Sequence, residues 1–480
     1  MKFLEAIVIE LRYSKSKRLL FCSLFLLSAC GLSHRNQALV INNAMINGDY
    51  EKVLSETLET PNCEKIDIDY EDITLLNSLN GGTSLFLLQR YDYASPVFDV
   101  ADQDMSKFFE QNIAQSSGKA TLETLGNASI LDYQPTMMDA IYVSSYKILS
   151  ALGNEDIDAA RIEVNKAYEK QKEAANYFSS EIEKAQKGMK EEAQNLDTEN
   201  RENLKDTTGS IINQNFADLQ IWNGYKDYMN PYTTYLSGLF FMTNGRSRGD
   251  FESASTYLKR VAGMSPNNSF IKNDLKQAET SANYGSSSKD KFVWVIYENG
   301  MVADFDEIRI DFPAFIVSNQ VSMLSFSMPK PRLRDQAFPN ISASFSAKSK
   351  VSTEILADVD NMMIAEYNKK LPLIIAKSTT KTIANAVFQY QMSRQMGAWG
   401  NLAATAYTIT TSSADLRSWY ILPKNVQLAK LKVEKNDTLE LYVQNSTKIA
   451  DVKIPTNQNS IVYVRIPSIM AKPIISVLKL

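Results

Sequence analysis

From Ile41 to about Leu275 apolar residues recur at spacings of three and four, and the runs come in pairs divided by short turns. Leu75, Leu76, Leu79, Thr83, Phe86 and Leu87 form one stripe and Phe98, Ala101, Met105 and Phe108 the next, about a turn at Gln89 to Asp92. A second pair sets Ile141, Ile148, Leu149 and Leu152 before a break at Gly153-Asn154, then Ile157, Ala160, Val164 and Ala167. A third opens at Asn230-Pro231, where proline suits a first helical position, and turns at GRSRGD before Phe251, Ala254, Tyr257, Leu258 and Val261. Paired helices with short Gly-containing turns predict a tetratricopeptide (TPR)-like array with insertions. The largest insertion, at about 179–206, is very polar and predicts a solvated helical arm.

The pattern changes after SANYGSSSKDK, a linker by composition. Val293 to Tyr297 is a buried-type strand, Glu298-Asn299-Gly300 a turn, and Phe305 to Phe312 alternates as a second strand. Further strands are expected at Val317 to Phe326 and Ser342 to Ser346. A long helix or helix pair follows from Thr353 to about Met396, broken near Pro372. Alternation over Leu439 to Val443, Ala450 to Ile454 and Val462 to Ile466 predicts a closing antiparallel meander. The expected fold class is α+β multidomain, a TPR-like α-helical hairpin array followed by an antiparallel-sheet domain with a long helix.

The first thirty residues resemble an export signal: Arg12, Lys15, Lys17 and Arg18 precede an apolar run from Leu19 to Ala29. That run is too short to span a bilayer as a mature helix. It ends Leu27-Ser28-Ala29-Cys30-Gly31, the bacterial lipobox pattern, in which small residues admit the peptidase and the cysteine thiolate takes the diacylglyceryl group. Gly31 after Cys30, rather than aspartate, predicts sorting to the outer membrane, lipid-anchored on the periplasmic face. The expected organisation is a signal peptide over 1–29, a tether over 30–40, a helical domain over 41–280, a linker over 281–291 and an α+β domain over 292–480.

Removing the signal leaves 46 basic against 53 acidic residues, a mildly acidic body that argues against nucleic acid. One histidine, His34, and three cysteines in 480 residues disfavour zinc sites, Ser-His-Asp triads and most imidazole chemistry. Cys63 has no second mature cysteine for a disulfide once Cys30 carries lipid. Gly245-Arg246-Ser247-Arg248-Gly249 fits a hydrolase elbow in letters, but it joins two predicted helices and no histidine follows. Ser144/Lys147 and Ser378/Lys381 have Ser-Xaa-Xaa-Lys spacing without companion motifs, and Asp304/Asp306 and Asp358/Asp360 are carboxylate pairs of a kind any acidic protein offers. Lys330, Arg332 and Arg334 predict a solvated basic loop. No catalytic residue, metal or cofactor is expected, and the chain is read as a non-enzyme.

Four stretches carry a resemblance: YKILSALGNEDIDAARIEVNKA (Tyr146 to Ala167), NPYTTYLSGLFF (Asn230 to Phe241), IYENGMVADFDEIRIDFP (Ile296 to Pro313) and SADLRSWYILPKNVQLAKLKV (Ser413 to Val433). Through them the chain resembles an uncharacterised family of bacterial TPR-containing envelope lipoproteins. Ala303 and Asp139 depart from that pattern, which has proline and glutamate there. The family has no established activity; the resemblance implies a cell-wall role, since its members tend to be encoded near lipoproteins that activate peptidoglycan synthases. Asp415, Arg417 and Trp419 are nominated as a binding cluster, or else as an ion pair and a buried anchor. The leading expectation is a scaffold, held in the membrane by lipid on Cys30, that takes periplasmic protein partners such as cell-wall synthesis proteins. The alternative is a peptidoglycan- or carbohydrate-binding module in the C-terminal domain.

Overall fold

The computed structural model describes residues 35–60, 66–114, 133–194, 198–225, 229–313, 323–345, 349–372, 414–434, 437–444 and 446–480, with positions 374, 375, 378, 379 and 382. The signal peptide, Cys30, Cys63, Lys381, residues 317–322 of one expected strand and 383–396 of the expected long helix lie outside them. No helix among the described residues is long and apolar enough to cross a membrane.

The chain is mixed α and β, helical first and then rich in antiparallel sheet. The helices are α1 (35–47), α2 (Tyr50–Leu58), α3 (Leu75–Leu87), α4 (Tyr91–Ala114), α5 (Met137–Gly153), α6 (Ile157–Gln194), α7 (Thr198–Asn215), α8 (Pro231–Asn244), α9 (Arg248–Met264) and α10 (Ser269–Tyr284). Their starts are written in the sequence. Thr136 and Asp139 close a capping box on α5, with Asp139 N–H donating to Thr136 Oγ1 at 3.1 Å and Thr136 N–H to Asp139 Oδ2 at 2.7 Å. Asn230 accepts from Tyr232 N–H at 2.9 Å ahead of Pro231, the first residue of α8. Ser247 of the GRSRG turn caps α9, taking Asp250 N–H on its hydroxyl oxygen at 3.2 Å, so that turn serves a helix start. α6 has 38 residues, about 57 Å of helix. Ala160, Val164, Ala167, Ala174 and Tyr177 bury its first half, and the polar arm occupies the remainder.

The second half contains β1 (Phe292–Asn299), β2 (Asp304–Pro313), β3 (Met323–Arg332), β4 (Ile341–Ser344), β5 (Val351–Ser352), β6 (Glu354–Asp358), helix α11 (359–372), β7 (Asn425–Lys432), β8 (Thr438–Val443), β9 (Thr447–Lys453), β10 (Ser460–Ile466) and β11 (Ile474–Lys479). A central sheet has the order β11-β10-β1-β7-β6, with β1 parallel to β10 and every other pair antiparallel. A second sheet, β5-β4-β8-β9, packs on one face, where Val293, Val295, Val462 and Val464 meet Ile341, Ala343, Leu439 and Leu441. On the other face Trp294, Ile296, Leu428, Ile461 and Tyr463 share one core with Leu79, Phe98, Tyr146 and Leu239 of the helices. The order is helices, sheet, sheet. Burial on both faces explains why β1 and β10 read as continuous apolar runs. The β2–β3 hairpin packs separately on Ile364, Tyr367 and Leu371 of α11 and on Ile211 and Phe216 at the end of α7.

Several local expectations change. Residues 35–40 of the expected tether are helical, and 281–284 of the expected linker finish α10. Thr353 does not open a helix: Glu354–Asp358 is an edge strand paired with β7, and α11 begins at 359. Leu356 and Ala357 are fully buried against the helical layer, and that packing holds the segment extended. The closing strands form no single meander, because β8 and β9 pair in the outer sheet while β10 crosses to lie parallel to β1. The β6 edge is covered: Asn268 Nδ2 donates to the carbonyls of Glu354 and Ile355 at 3.2 and 3.0 Å, and Ser265 Oγ to that of Leu356 at 2.6 Å.

Candidate functional site

A fully buried cluster of ionisable groups lies between the helices and the central sheet. Glu298 on β1 and Arg465 on β10 face each other in the parallel register, and both are 0% exposed. Glu298 accepts from Tyr463 at 2.7 Å, Tyr146 at 3.1 Å and Tyr142 at 3.3 Å, and Arg465 Nε stands 3.9 Å from its Oε2. Three other guanidinium N–H groups go to main-chain oxygens: Nη1 to Glu298 at 3.1 Å and Gly300 at 2.5 Å, Nη2 to Ile421 at 3.0 Å. Burial raises the Glu298 carboxyl above its ordinary range, opposed by Arg465 and the tyrosine donors. Burial first, and Glu298 second, hold the Tyr142, Tyr146 and Tyr463 hydroxyls protonated. The group is a joint between two layers, with no open face for a substrate.

Two further clusters each centre on a buried charge, the second of them reaching the surface at Asp99. Asp274 of α10, 0% exposed, accepts from Lys430 of β7 and Tyr235 of α8 at 2.6 Å each and from Trp294 Nε1 at 3.1 Å. Lys430 Nζ also sits 4.2 Å from the Phe292 ring centre. Lys147 of α5 lies 2.8 Å from Asp99, 3.3 Å from Asp102 and 3.0 Å from Glu163. Burial pulls its pKa down, but Glu163, Asp102 and Asp99 outweigh that and raise it. A lysine held protonated cannot serve as the base that a Ser144–Lys147 pair requires.

The nominated cluster divides. Trp419 is 2% exposed, its ring 5.9 Å from Tyr146, 6.1 Å from Tyr142 and 6.4 Å from Phe98. It is the anchor between the strand-entry segment and the helices, and wall binding through this cluster has no exposed ring to stack on sugar. Asp415 and Arg417 form a local bidentate pair, Nε to Oδ1 at 2.8 Å and Nη2 to Oδ2 at 2.7 Å. Asp304 and Asp306 both pair with Arg332, at 2.6 and 3.3 Å. Asp360 pairs with Lys424 and accepts from Ala303 N–H at 2.6 Å, a bond that a proline at 303 could not make. The expected basic loop is divided too: Lys330 and Arg332 lie on β3, and Arg334 reaches inward to Val302 O, Tyr420 O and Asn42.

One signal announced the missed groups. Glu298 and Arg465 are single charges in the apolar runs VWVIYEN and SIVYVRI, and a strand buried on both faces keeps a charge only with a partner. A cleft opens at the start of α5, lined by Met137, Met138, Met229, Met362 and Asn230, with Glu366 accepting the Met137 and Met138 N–H groups at 3.3 and 3.2 Å. Among the described residues no group of His, Cys, Asp and Glu is arranged to hold a metal ion. Comparison with protein-family models, curated proteins and solved structures gives no match to this chain.

Proposed function

We propose that the chain is a lipid-anchored, non-enzymatic scaffold of a bacterial envelope, held at the periplasmic face of the outer membrane through Cys30. Its helical pairs act as TPR-like hairpins that take protein partners, cell-wall synthesis proteins first among them. The observation that carries the anchor is the Leu27-Ser28-Ala29-Cys30 sequence after a basic and apolar leader. The use of charge supports the scaffold: Glu298, Arg465, Asp274, Lys430 and Lys147 are spent on one another inside the body. The arm at about 179–206 is very polar in sequence and offers further length for a partner.

The test is crosslinking of the full-length protein in cells, followed by affinity purification and mass spectrometry. A Cys30→Ala form and a form lacking 181–204 of the arm run beside it. Envelope partners recovered with the acylated protein, and lost or reduced without the arm, are expected. An unmodified Cys30 with no specific crosslinked partner overturns the reading.

A further inference from the structure

Ten large hydrophobic side chains are exposed among the described residues, and five of them gather at one end of the molecule: Leu39, Val40, Leu333, Ile469 and Met470. Three hydrogen bonds tie their segments together about α1. Ser468 Oγ donates to Ile46 O at 2.6 Å, Arg334 Nη1 to Asn42 Oδ1 at 2.7 Å and Tyr420 OH to Ala38 O at 3.2 Å. Ile469 and Met470, 72% and 68% exposed, form the tip of the 467–473 loop between β10 and β11. Neither α1 nor that loop contains an acidic residue, and Arg35 and Lys472 stand exposed at the two ends of the patch; Asp335 is the acid nearest Leu333 in sequence.

The chain's own anchor selects the occupant. Five residue steps separate Cys30 from Arg35, a reach of at most about 18 Å in any conformation. A lipid on Cys30 therefore brings the start of α1 to the bilayer surface, and α1 leads about 20 Å further to the Ile469–Met470 loop. Asp49 and Glu51 are exposed just past α1, where Gly48 packs on Ala471 and Lys472, but the tips themselves are apolar and lie between Arg35 and Lys472, which suits the boundary of headgroups and acyl chains. We propose that this end lies in the bilayer interface, with Ile469 and Met470 inserted and Leu39 and Val40 beside them, so that the body stands in a fixed orientation on the membrane. The proposal rests on acylation of Cys30.

The test uses the mature, full-length lipoprotein with Cys63→Ser, reconstituted in vesicles of phosphatidylethanolamine and phosphatidylglycerol. An environment-sensitive fluorophore is attached at Met470→Cys, or at Tyr284→Cys as reference. Tyr284 is 81% exposed and precedes β1, whereas the loop follows the far end of β10, which runs parallel to β1. Blue-shifted emission and quenching by spin-labelled lipid are expected at 470 and not at 284. Mass spectrometry of the N-terminal peptide separates the two ideas. An acylated Cys30 with a water-exposed label at 470 overturns this proposal and leaves the anchor standing, while an unmodified Cys30 overturns both. Shifted emission without quenching by lipid assigns the patch to a second copy of the chain and overturns the membrane contact.

Discussion

At the scale of single residues, burial decides roles that residue type leaves open. Trp419 in its Asp-Leu-Arg-Ser-Trp run suits a binding ring as well as an anchor, and its position among Phe98, Tyr142 and Tyr146 makes it the anchor. Trp419→Ala is expected to cost about 3–5 kcal/mol of stability, the usual price of an aromatic core truncation. Urea unfolding reads this directly, and a midpoint within error of the parent would return Trp419 to the surface. Asp139 gives a second case. Burial, against hydrogen bonds from Thr136 and Tyr133, lifts its carboxyl to about 6. The folded state then holds a proton between pH 4 and 6 that the unfolded chain has released, so stability falls as pH rises through that window, by about 3 kcal/mol for this group. Asp139→Asn keeps an acceptor for Thr136 N–H and removes the charge. The difference between parent and variant stability is expected to grow from pH 4 to pH 6 in the variant's favour. Glu298, Asp358 and Asp360, also raised by burial, act on both proteins alike, so a difference that does not vary with pH sinks the assignment.

At the scale of elements, helices were legible where a stripe and a cap agreed. Pro231, the GRSRG turn and the Gly153-Asn154 break all fall at helix ends, because caps and turns act through neighbours in sequence. Several strands were legible, though only as strands, and Glu354–Asp358 was legible only as part of a helix. Which sheet takes β10, and that Glu354–Asp358 is an edge, depend on residues far along the chain that periodicity does not contain. The buried charges were visible as letters and not as pairs, since Asp274 and Lys430 lie 156 positions apart. That pair pins α10 to β7, and its value is tested by breaking it. Lys430→Met leaves Asp274 without its counter-charge in a fully buried position and is expected to cost about 3–5 kcal/mol. Adding Asp274→Asn restores neutrality while its amide oxygen still accepts from Tyr235 and Trp294, so the double variant is expected to recover most of the loss. If the double variant is as unstable as the single one, cavity and packing, rather than an unpaired charge, account for the cost.

At the scale of the whole molecule, the composition break at 281–291 marks a change of secondary structure within a shared core. One face of the central sheet, Trp294, Ile296, Leu428, Ile461 and Tyr463, is covered by helices α3, α4, α5 and α8. The Glu298 joint draws two of its three tyrosine donors from α5. Cutting the chain between 291 and 292 into separately expressed pieces would leave that apolar face in water and Glu298 with a single donor beside Arg465. An exposed patch of this kind drives aggregation or partial unfolding. Residues 292–480 alone are therefore expected to bind a hydrophobic dye and to unfold without a cooperative transition. Co-expressed with residues 35–291, they are expected to reassemble into a soluble complex, because the helical layer supplies both the apolar cover and the hydroxyls. A cooperative, dye-silent unfolding transition in the isolated piece would show that the two-sheet stack, through Val293, Val295, Val462 and Val464, is sufficient by itself. The helical layer would then be a docked neighbour, free to exchange the sheet for another partner.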